Sequence, residues 1–357
     1  MSSRFRTAAR VAWQLRVILA RVVALMCIPQ IAWAHTDGGK SENPWSRWPF
    51  EPEILAGVFI AAAFYLAGLS KRYGRTASIS AWRHASFFAG LAALLVALQS
   101  PLDALADHSF MMHQVQHLLL GALGPMLLLL AAPQTLLVAG MPGAMREHVL
   151  APLLVSRSVQ VTFAFFVHPV VATFVLIAAL YFWHLPKYHD LAVIDVPVHY
   201  MMHITMLVSA LFFFWRVLDP RPPPVGAGYG VRVVMASAAM AGSTPLGAYI
   251  TFKSSVLYPA YDEKGRLWGL DALLDERFGG LIMWVPGGIV FGVLLLIVVR
   301  LWGRREDRLN TPGRRGVESK SVSPNSGNGR LAWGLAVIPL VVFACVVAIG
   351  YLQRVLP

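Results

Sequence analysis

A chain of 357 residues that repeats an apolar stretch of membrane-crossing length has few folds open to it. Such stretches run roughly over 54–70, 84–100, 110–132, 161–183, 196–217, 232–252 and 279–302, with an eighth at 331–352. A helix needs about 20 mainly apolar residues to cross the hydrocarbon core. Backbone N–H and C=O groups find no water there, so each crossing must satisfy them within its own helix. The expected fold is an all-α, polytopic transmembrane bundle of seven to eight helices after an N-terminal signal segment. Charged residues make up only 13% of the chain, against about 25% in soluble domains.

The organisation follows from what lies between these stretches. Residues 1–34 read as a signal peptide or signal anchor. Arg4, Arg6, Arg10, Arg16 and Arg21 precede a short apolar core, and Ala32, Trp33 and Ala34 fit a small-x-small cleavage pattern. Cleavage there would expose His35 at the start of a polar external segment, 35–53, where the plain reading is a histidine in a polar stretch. The seven-span domain covers 54–302, a basic cytoplasmic linker 303–330, and the additional C-terminal helix 331–357. Gly121, Gly124 and Pro125 predict a kink in the third span, and Pro245 a bend in the sixth. Residues 133–150 are expected to lie along the inner surface. Trp183, Tyr188 and Trp284 are expected to anchor at the membrane interface, as aromatic belts do.

Charge then orients the bundle. Lys71, Arg72, Arg75 and Arg83 mark the first loop as cytoplasmic under the positive-inside rule, and Asp103 and Asp107 mark the second as external. Continued along the chain, this places 22 of the 30 Lys and Arg on the inner side. The net charge of +12 is therefore a topology signal with some contact to anionic lipid, and no nucleic-acid partner is expected. Two cysteines, Cys27 and Cys345, rule out a disulfide scaffold, a CxxC redox site and a thiolate chaperone.

The histidines sort to one side. Eight of the 11 fall at the outer face: His35, His108, His113, His117, His184, His189, His199 and His203. Ionisable residues within spans are costly and mark function. His113 and His117 share one helical face near the outer end of the third span, and His199 and His203 repeat the spacing in the fifth. His184 ends the fourth. If these spans pack together, five imidazoles converge at one depth: His113, His117, His199, His203 and His184. Asp107, Asp195, Gln114 and Gln116 are placed to orient ring N–H groups. His108 and His189 read as hydrogen-bonded structural histidines. Imidazole suits copper, zinc, iron and nickel, and nearby Met111, Met112, Met201, Met202 and Met206 add soft thioethers that favour Cu(I). Met240 and Met283 approach from the sixth and seventh spans. Each methionine alone reads as core filling. Neutral imidazole is needed for binding, so acid is expected to weaken the site.

Other chemistries compete. Two b-type haems stacked across a bilayer would need ligands many residues apart on each helix, whereas here each pair lies one turn apart. One haem would leave a pair idle, so haem is the weaker cofactor reading. An intramembrane zinc hydrolase would need a carboxylate beside the histidines, with Asp107 or Asp195 the candidates, but the chain has no HExxH and no GxSxG. No catalytic residue is assigned. A metal transporter would use the outer histidines and methionines as an entry site, with His84 and His168 on the inner half.

The motifs also resemble a known family. His113, Gln114, Val115, Gln116, His117 and the leucines Leu118, Leu119 and Leu120, followed by Pro125 and by Ala132 and Pro133, are similar to the signature of the CtaG family of cytochrome c oxidase assembly factors. A second block agrees in order: Trp183, His184, Pro186 and Tyr188, then His199, Tyr200 and His203, then Phe214, Trp215, Asp219 and Pro220. The resemblance covers about residues 50–305. Where the family usually has Met after the first histidine, Gln114 stands here and Met112 precedes it. The resemblance implies a multi-pass protein of the bacterial inner (plasma) membrane that helps assemble a haem–copper oxidase. Oxidase subunits and the lipid bilayer would be its partners. Copper handling, with the histidines on the periplasmic side, is the route it suggests.

Overall fold

The computed structural model describes residues 48–72 and 79–310. The signal segment, most of 35–53 and the eighth span lie outside the described residues. Among those residues there are helices and no strands. In chain order they are α1 (Pro52–Arg72), α2 (Ala81–Leu98), the short α3 (Pro101–Ala106), α4 (Phe110–Leu130), α5 (Gln134–Gly140), α6 (Gly143–Val155), α7 (Arg157–Phe166), α8 (Pro169–Trp183), α9 (Pro186–Ile194), α10 (Val196–Val217), α11 (Tyr229–Phe252), α12 (Ala260–Lys264) and α13 (Ala272–Asn310). Six of these helices are long and apolar enough to cross a membrane, and up to eight spans result if each bent pair counts as one.

The expected span 161–183 is not one straight helix. Pro169 occupies the first turn of α8, and His168 before it is extended at φ −61°, ψ 133°. The ring of a proline excludes its predecessor from helical backbone, so α7 ends at Phe166. The bent pairs are α6 with α7, at 69°, and α8 with α9, at 73°. Pro186 at the start of α9 makes the second break as Pro169 makes the first. The seventh span is longer than expected. It starts at Ala272 and takes Asp275 and Glu276 into its first turns, where 253–278 reads as a loop from sequence.

The kink predicted in the third span takes the form of a π turn over Leu119–Leu123. Pro125 has no N–H to give, and the ladder shifts so that Gly124 N–H reaches back five residues to Leu119 O. The backbone leaves α4 through Ala132, at φ 48°, just before Pro133. Residues 134–140 then fold back onto α1. A Cβ on Gly140 would stand 1.7 Å from Phe64 O, and one on Gly68 would stand 1.9 Å from Leu136 O. The two backbones therefore touch, and Lys71 Nζ donates to Ala139 O at 3.2 Å.

The centre of the bundle is α11 against α13. Lipid is as apolar as leucine, so association here depends on close van der Waals packing rather than on burial from water. Gly247 lies against Trp284 and Gly280 against Thr251, too close for any larger residue. Phe213, Phe214, Val233, Ala236, Leu294 and Val298 fill the space toward α10. Trp183 and Trp284, expected at the lipid interface, are instead buried within the bundle. Each indole N–H is satisfied by a threonine hydroxyl, Thr205 at 2.8 Å and Thr251 at 3.0 Å. A buried indole pays for its polar edge with such a partner, and both threonines lie on facing helices.

The contact between α1 and α5 predicts that Gly140→Ala destabilises the protein by about 1–3 kcal/mol, as overpacking does. Thermal melting in detergent checks this, and an unchanged midpoint would separate the two backbones.

Candidate metal centre

The histidine helices start at the same end of the bundle and are fixed there by caps. Ser109 Oγ accepts from Met112 N–H at 3.3 Å and donates to Asp275 Oδ1 at 2.7 Å. Asp275 also accepts from Phe110 N–H at 2.9 Å and from Met111 N–H at 3.1 Å. A carboxylate at a helix N-terminus satisfies free donors and complements the helix dipole. Asp275 is in turn held by Arg266 at 3.0 Å. On α10, Asp195 Oδ1 accepts from Val198 N–H at 3.0 Å. The first HxxxH pair thus falls in the opening two turns of α4 and the second in the opening two turns of α10.

Six imidazoles gather there. Ring centroids within each pair are 4.3 Å apart. Across the helices, His113 lies 5.3 Å from His199 and 6.1 Å from His203, and His117 lies 5.6 Å from His203 and 5.9 Å from His184. One nitrogen from each of His113, His117 and His203 falls within 4.8 Å of the other two, and all three residues are buried. His199 stands beside this trio. His184 is further along α8, and His189, read as structural from sequence, is completely buried next to His113 at 5.2 Å. His108 stands apart, with Nδ1 on the carbonyls of Lys264 and Gly265 at 3.0 Å.

The hydrogen bonds fix which nitrogens are free. Carbonyl oxygens only accept. His189 Nδ1 therefore donates to Trp183 O at 3.0 Å, and its Nε2 accepts from Tyr261 Oη–H at 2.9 Å. With that proton committed, Tyr261 accepts from His113 Nδ1–H at 3.0 Å. His113 Nε2 is left bare, and it accepts from His117 Nε2–H at 2.8 Å. His199 Nδ1 donates to Ala192 O at 3.1 Å, which bares its Nε2. His203 Nε2 and His117 Nδ1 are buried with no partner in the protein. An unpaired buried polar atom costs about 1–3 kcal/mol, and here two such atoms border one site. Bare imidazole nitrogens whose opposite N–H groups are anchored are what metal-binding histidines present.

His184 differs. Its Nδ1 donates to Leu180 O at 2.6 Å, and its bare Nε2 faces the Gln114 carboxamide at 3.1 Å. The pair is satisfied when the Gln114 NH2 turns toward the ring. Both His184 nitrogens therefore have protein partners, as both nitrogens of His189 do.

The orienting groups expected from sequence are only partly those that act. Gln114 meets His184. Asp195 caps α10 and Asp107 pairs with Lys264 at 2.9 Å, and neither hydrogen-bonds a ring. Gln116 donates to Ala97 O and to Asp103 Oδ1. The carbonyls of Leu180, Trp183 and Ala192 and the hydroxyl of Tyr261 do the orienting instead. Tyr261 was not legible as a site residue, because it lies in a charged connection far along the chain. The pair Tyr258 and Tyr261, two aromatics in an otherwise polar loop, is the signal that points to it.

That connection is pinned over the histidines by Glu276. Its carboxylate accepts from Leu257 N–H and Tyr258 N–H, both at 2.9 Å, and pairs with Lys253. Tyr258 Oη–H donates to His184 O at 2.9 Å.

Three carboxylates lie near one another at this end of the bundle. Glu51 is held by Tyr200 and by its own N–H on Gln99, Asp103 by Gln116, and Asp107 by Lys264. Burial, and then the charge of Asp107, push the Asp103 carboxyl up to about 7. Burial raises Glu51 as well.

The chain belongs to the class of polytopic helical membrane proteins with a histidine-rich centre buried at one end of the bundle. Residues 63–305 match the family model described as cytochrome c oxidase caa3 assembly factor, Caa3_CtaG, and the chain is a member of that family. Among curated proteins, uncharacterized proteins of Mycobacterium bovis and Mycobacterium tuberculosis are each 28% identical over 280 residues, and one of Mycobacterium leprae is 24% identical. The match takes in 76% of this chain but only 42% of theirs, so the chain spans less than half the length of these relatives. No solved structure matches.

The Asp103 environment gives a pH prediction. The folded carboxyl keeps its proton up to about 7, whereas the unfolded one releases it near 3.9. Between those values the folded state binds the extra proton, so stability falls as pH rises through that window and levels off above it. Asp103→Asn keeps an acceptor for Gln116 and removes the titration. Melting at pH 5 and pH 8 in detergent is expected to show a smaller drop for the variant than for the native protein, and equal drops would rule Asp103 out as the source.

Proposed function

We propose that the protein assists assembly of a haem–copper cytochrome c oxidase by holding copper, as Cu(I), in the histidine cluster and passing it to an oxidase subunit. One observation carries this reading: three buried imidazole nitrogens on two facing helices lie within 4.8 Å of one another, with no carboxylate among them. An all-imidazole donor set suits copper, zinc, iron or nickel, and the thioethers of Met202 and Met206, buried on the same helix as His203, favour Cu(I) among them. His113, His117 and His203 would hold the ion, and the bare Nε2 of His199 stands beside them. His184 would keep its hydrogen bonds and orient Gln114. Family membership supplies the oxidase context. The positive-inside charge pattern supports a plasma-membrane protein with the cluster on the periplasmic side, where an oxidase copper centre facing outward is within reach.

The rival chemistries find less support. A zinc hydrolase needs a carboxylate ligand or general base at the metal, and Asp107 and Asp195 are committed to Lys264 and to the α10 cap. A porphyrin needs a planar slot between two imidazoles, whereas the rings of His113 and His117 stand nearly perpendicular at 89° and in direct contact. The role read here is carriage rather than turnover.

The purified protein is expected to carry copper by mass spectrometry and to show no Soret band. Changing His113, His117, His199 and His203 together to Ala is expected to remove the metal and lower oxidase activity in cells while the protein still accumulates. A native protein without copper under reducing, copper-replete conditions would overturn the reading. Tyr261→Phe tests the orienting role of the hydroxyl. Loss of such a partner lowers metal affinity by about 10–100-fold, and a competition titration with a Cu(I) chelator measures it.

A further inference from the structure

A cavity of about 70 Å³ opens inside the bundle directly beneath the histidines. It extends along α13 from Met283 to Phe291, about 12 Å of helix at 1.5 Å per residue. Its upper wall is His117 and Gln114, and Met206 and Met283 flank it. The register explains the placement. Gly121 lies one turn below His117 on α4, and Met206 lies just under one turn below His203 on α10. The Met206 methyl reaches within 3.4 Å of where a Gly121 side chain would start. On α13, Gly279 packs against Phe110 and Gln114, and Met283 follows one turn deeper. Gly121 and Gly287 leave the middle of the space open.

Two of the residues that line this compartment carry an unsatisfied polar atom. His117 Nδ1 is buried and has no partner. Gln114 keeps one amide heavy atom unpartnered whichever way its carboxamide is turned. The other polar wall residues are already occupied: Ser209 donates to Met206 O at 2.8 Å and Ser243 to Met240 O at 3.1 Å. What remains for a ligand is one imidazole nitrogen, one amide atom of Gln114 and two thioether sulfurs.

We propose that this cavity is a second Cu(I) site, with His117 Nδ1 and the thioethers of Met206 and Met283 as its ligands. The inference rests on the copper reading of the histidine cluster and deepens it. Thioether sulfur selects Cu(I) over harder ions, and unbranched methionines can swing to meet an ion. His117 links the two sites because its two nitrogens serve one each. With the ion in the cluster, Nε2 is the ligand and Nδ1 carries the proton. With the ion in the cavity, Nδ1 is the ligand and Nε2–H donates to His113, the tautomer that the His113–His117 contact already displays. Moving between them breaks bonds to cluster nitrogens as bonds to Nδ1 and sulfur form. Copper stays Cu(I), and the change of tautomer releases one proton from Nδ1 to water as another is taken from water at Nε2, so no oxidant, reductant or net base is consumed. The two sites are filled in alternation rather than together.

The test is X-ray absorption at the copper edge on the full chain in detergent, loaded with one equivalent of Cu(I) under reducing conditions. The native protein is expected to show a sulfur shell beside its nitrogen shell. Met206→Leu with Met283→Leu, a change that nearly conserves volume, is expected to retain copper with nitrogen scatterers only. Should the double variant fail to fold, each single variant is expected to halve the sulfur shell. Copper bound through nitrogen alone in the native protein would overturn the cavity site and leave the histidine cluster standing, as would a sulfur shell that survives the double substitution. No copper in the native protein would remove the cluster reading and this one with it.

Discussion

Two adjacent carboxylates at the start of α13 hold the site in shape. Asp275 satisfies the first N–H groups of α4, and Glu276 those of the 257–258 backbone. Both are completely or almost completely buried, where an uncompensated charge is prohibitive. Arg266 and Lys253 compensate them, and the N–H groups occupy the remaining lone pairs. From this pair the rest follows in order. α4 begins at a fixed residue, so His113 and His117 face inward. The 253–264 segment is drawn across the bundle end, so Tyr261 reaches His113 and His189. Removing either carboxylate would free a set of buried donors at the same place, and removing Glu276 would also take from buried Lys253 its ion-pair partner.

The arrangement of protons in the cluster is set from outside it. Carbonyls of Trp183, Ala192 and Leu180 each claim one N–H, and these residues precede or end helices where carbonyls are not used by the ladder, or share the turn with the ring they orient. Tyr261 carries the constraint one step further, from His189 to His113. The consequence is a cluster in which the Nε2 lone pairs of His113 and His199 are bared, with the His117 Nε2 proton the one shared between the rings of the first pair. His184 and His189 complete their own hydrogen bonds and act as the wall of the site. The difference among the six imidazoles is therefore a difference in what stands behind each ring.

Much of this was legible in the sequence. Apolar length placed the helices α1, α2, α10 and α11 to within three residues at each end, because nothing else satisfies backbone groups in hydrocarbon. The two HxxxH spacings gave the inward faces, because four residues make nearly one turn. What was not legible depended on pairings across the chain. Asp275 and Glu276 read as loop acids, since a charge near an apolar stretch looks like its boundary until a partner such as Arg266 or Lys253 is known. Trp183 and Trp284 read as interfacial, since only the facing Thr205 and Thr251 make burial affordable for an indole. Pro169 was visible, yet the apolar run continues across it, and hydropathy does not register a missing N–H. Tyr261 needed the tertiary fold to come within reach of a histidine 148 positions away.

The π turn in α4 has a consequence for how the chain can vary. One extra residue is wound into Leu119–Leu123, between the half that bears His113 and His117 and the half that packs on α2 and α10. Each residue of an α-helix turns the helix by about 100°. The wide turn absorbs the extra residue, so the two halves keep the phase they would have without it. Were the ladder to tighten to an ordinary α-helix with that residue still present, one half would rotate against the other by about that angle and carry the imidazoles out of the bundle interior. A one-residue deletion confined to this turn therefore preserves the facing of the histidines, whereas the same deletion with the wide turn retained would rotate them.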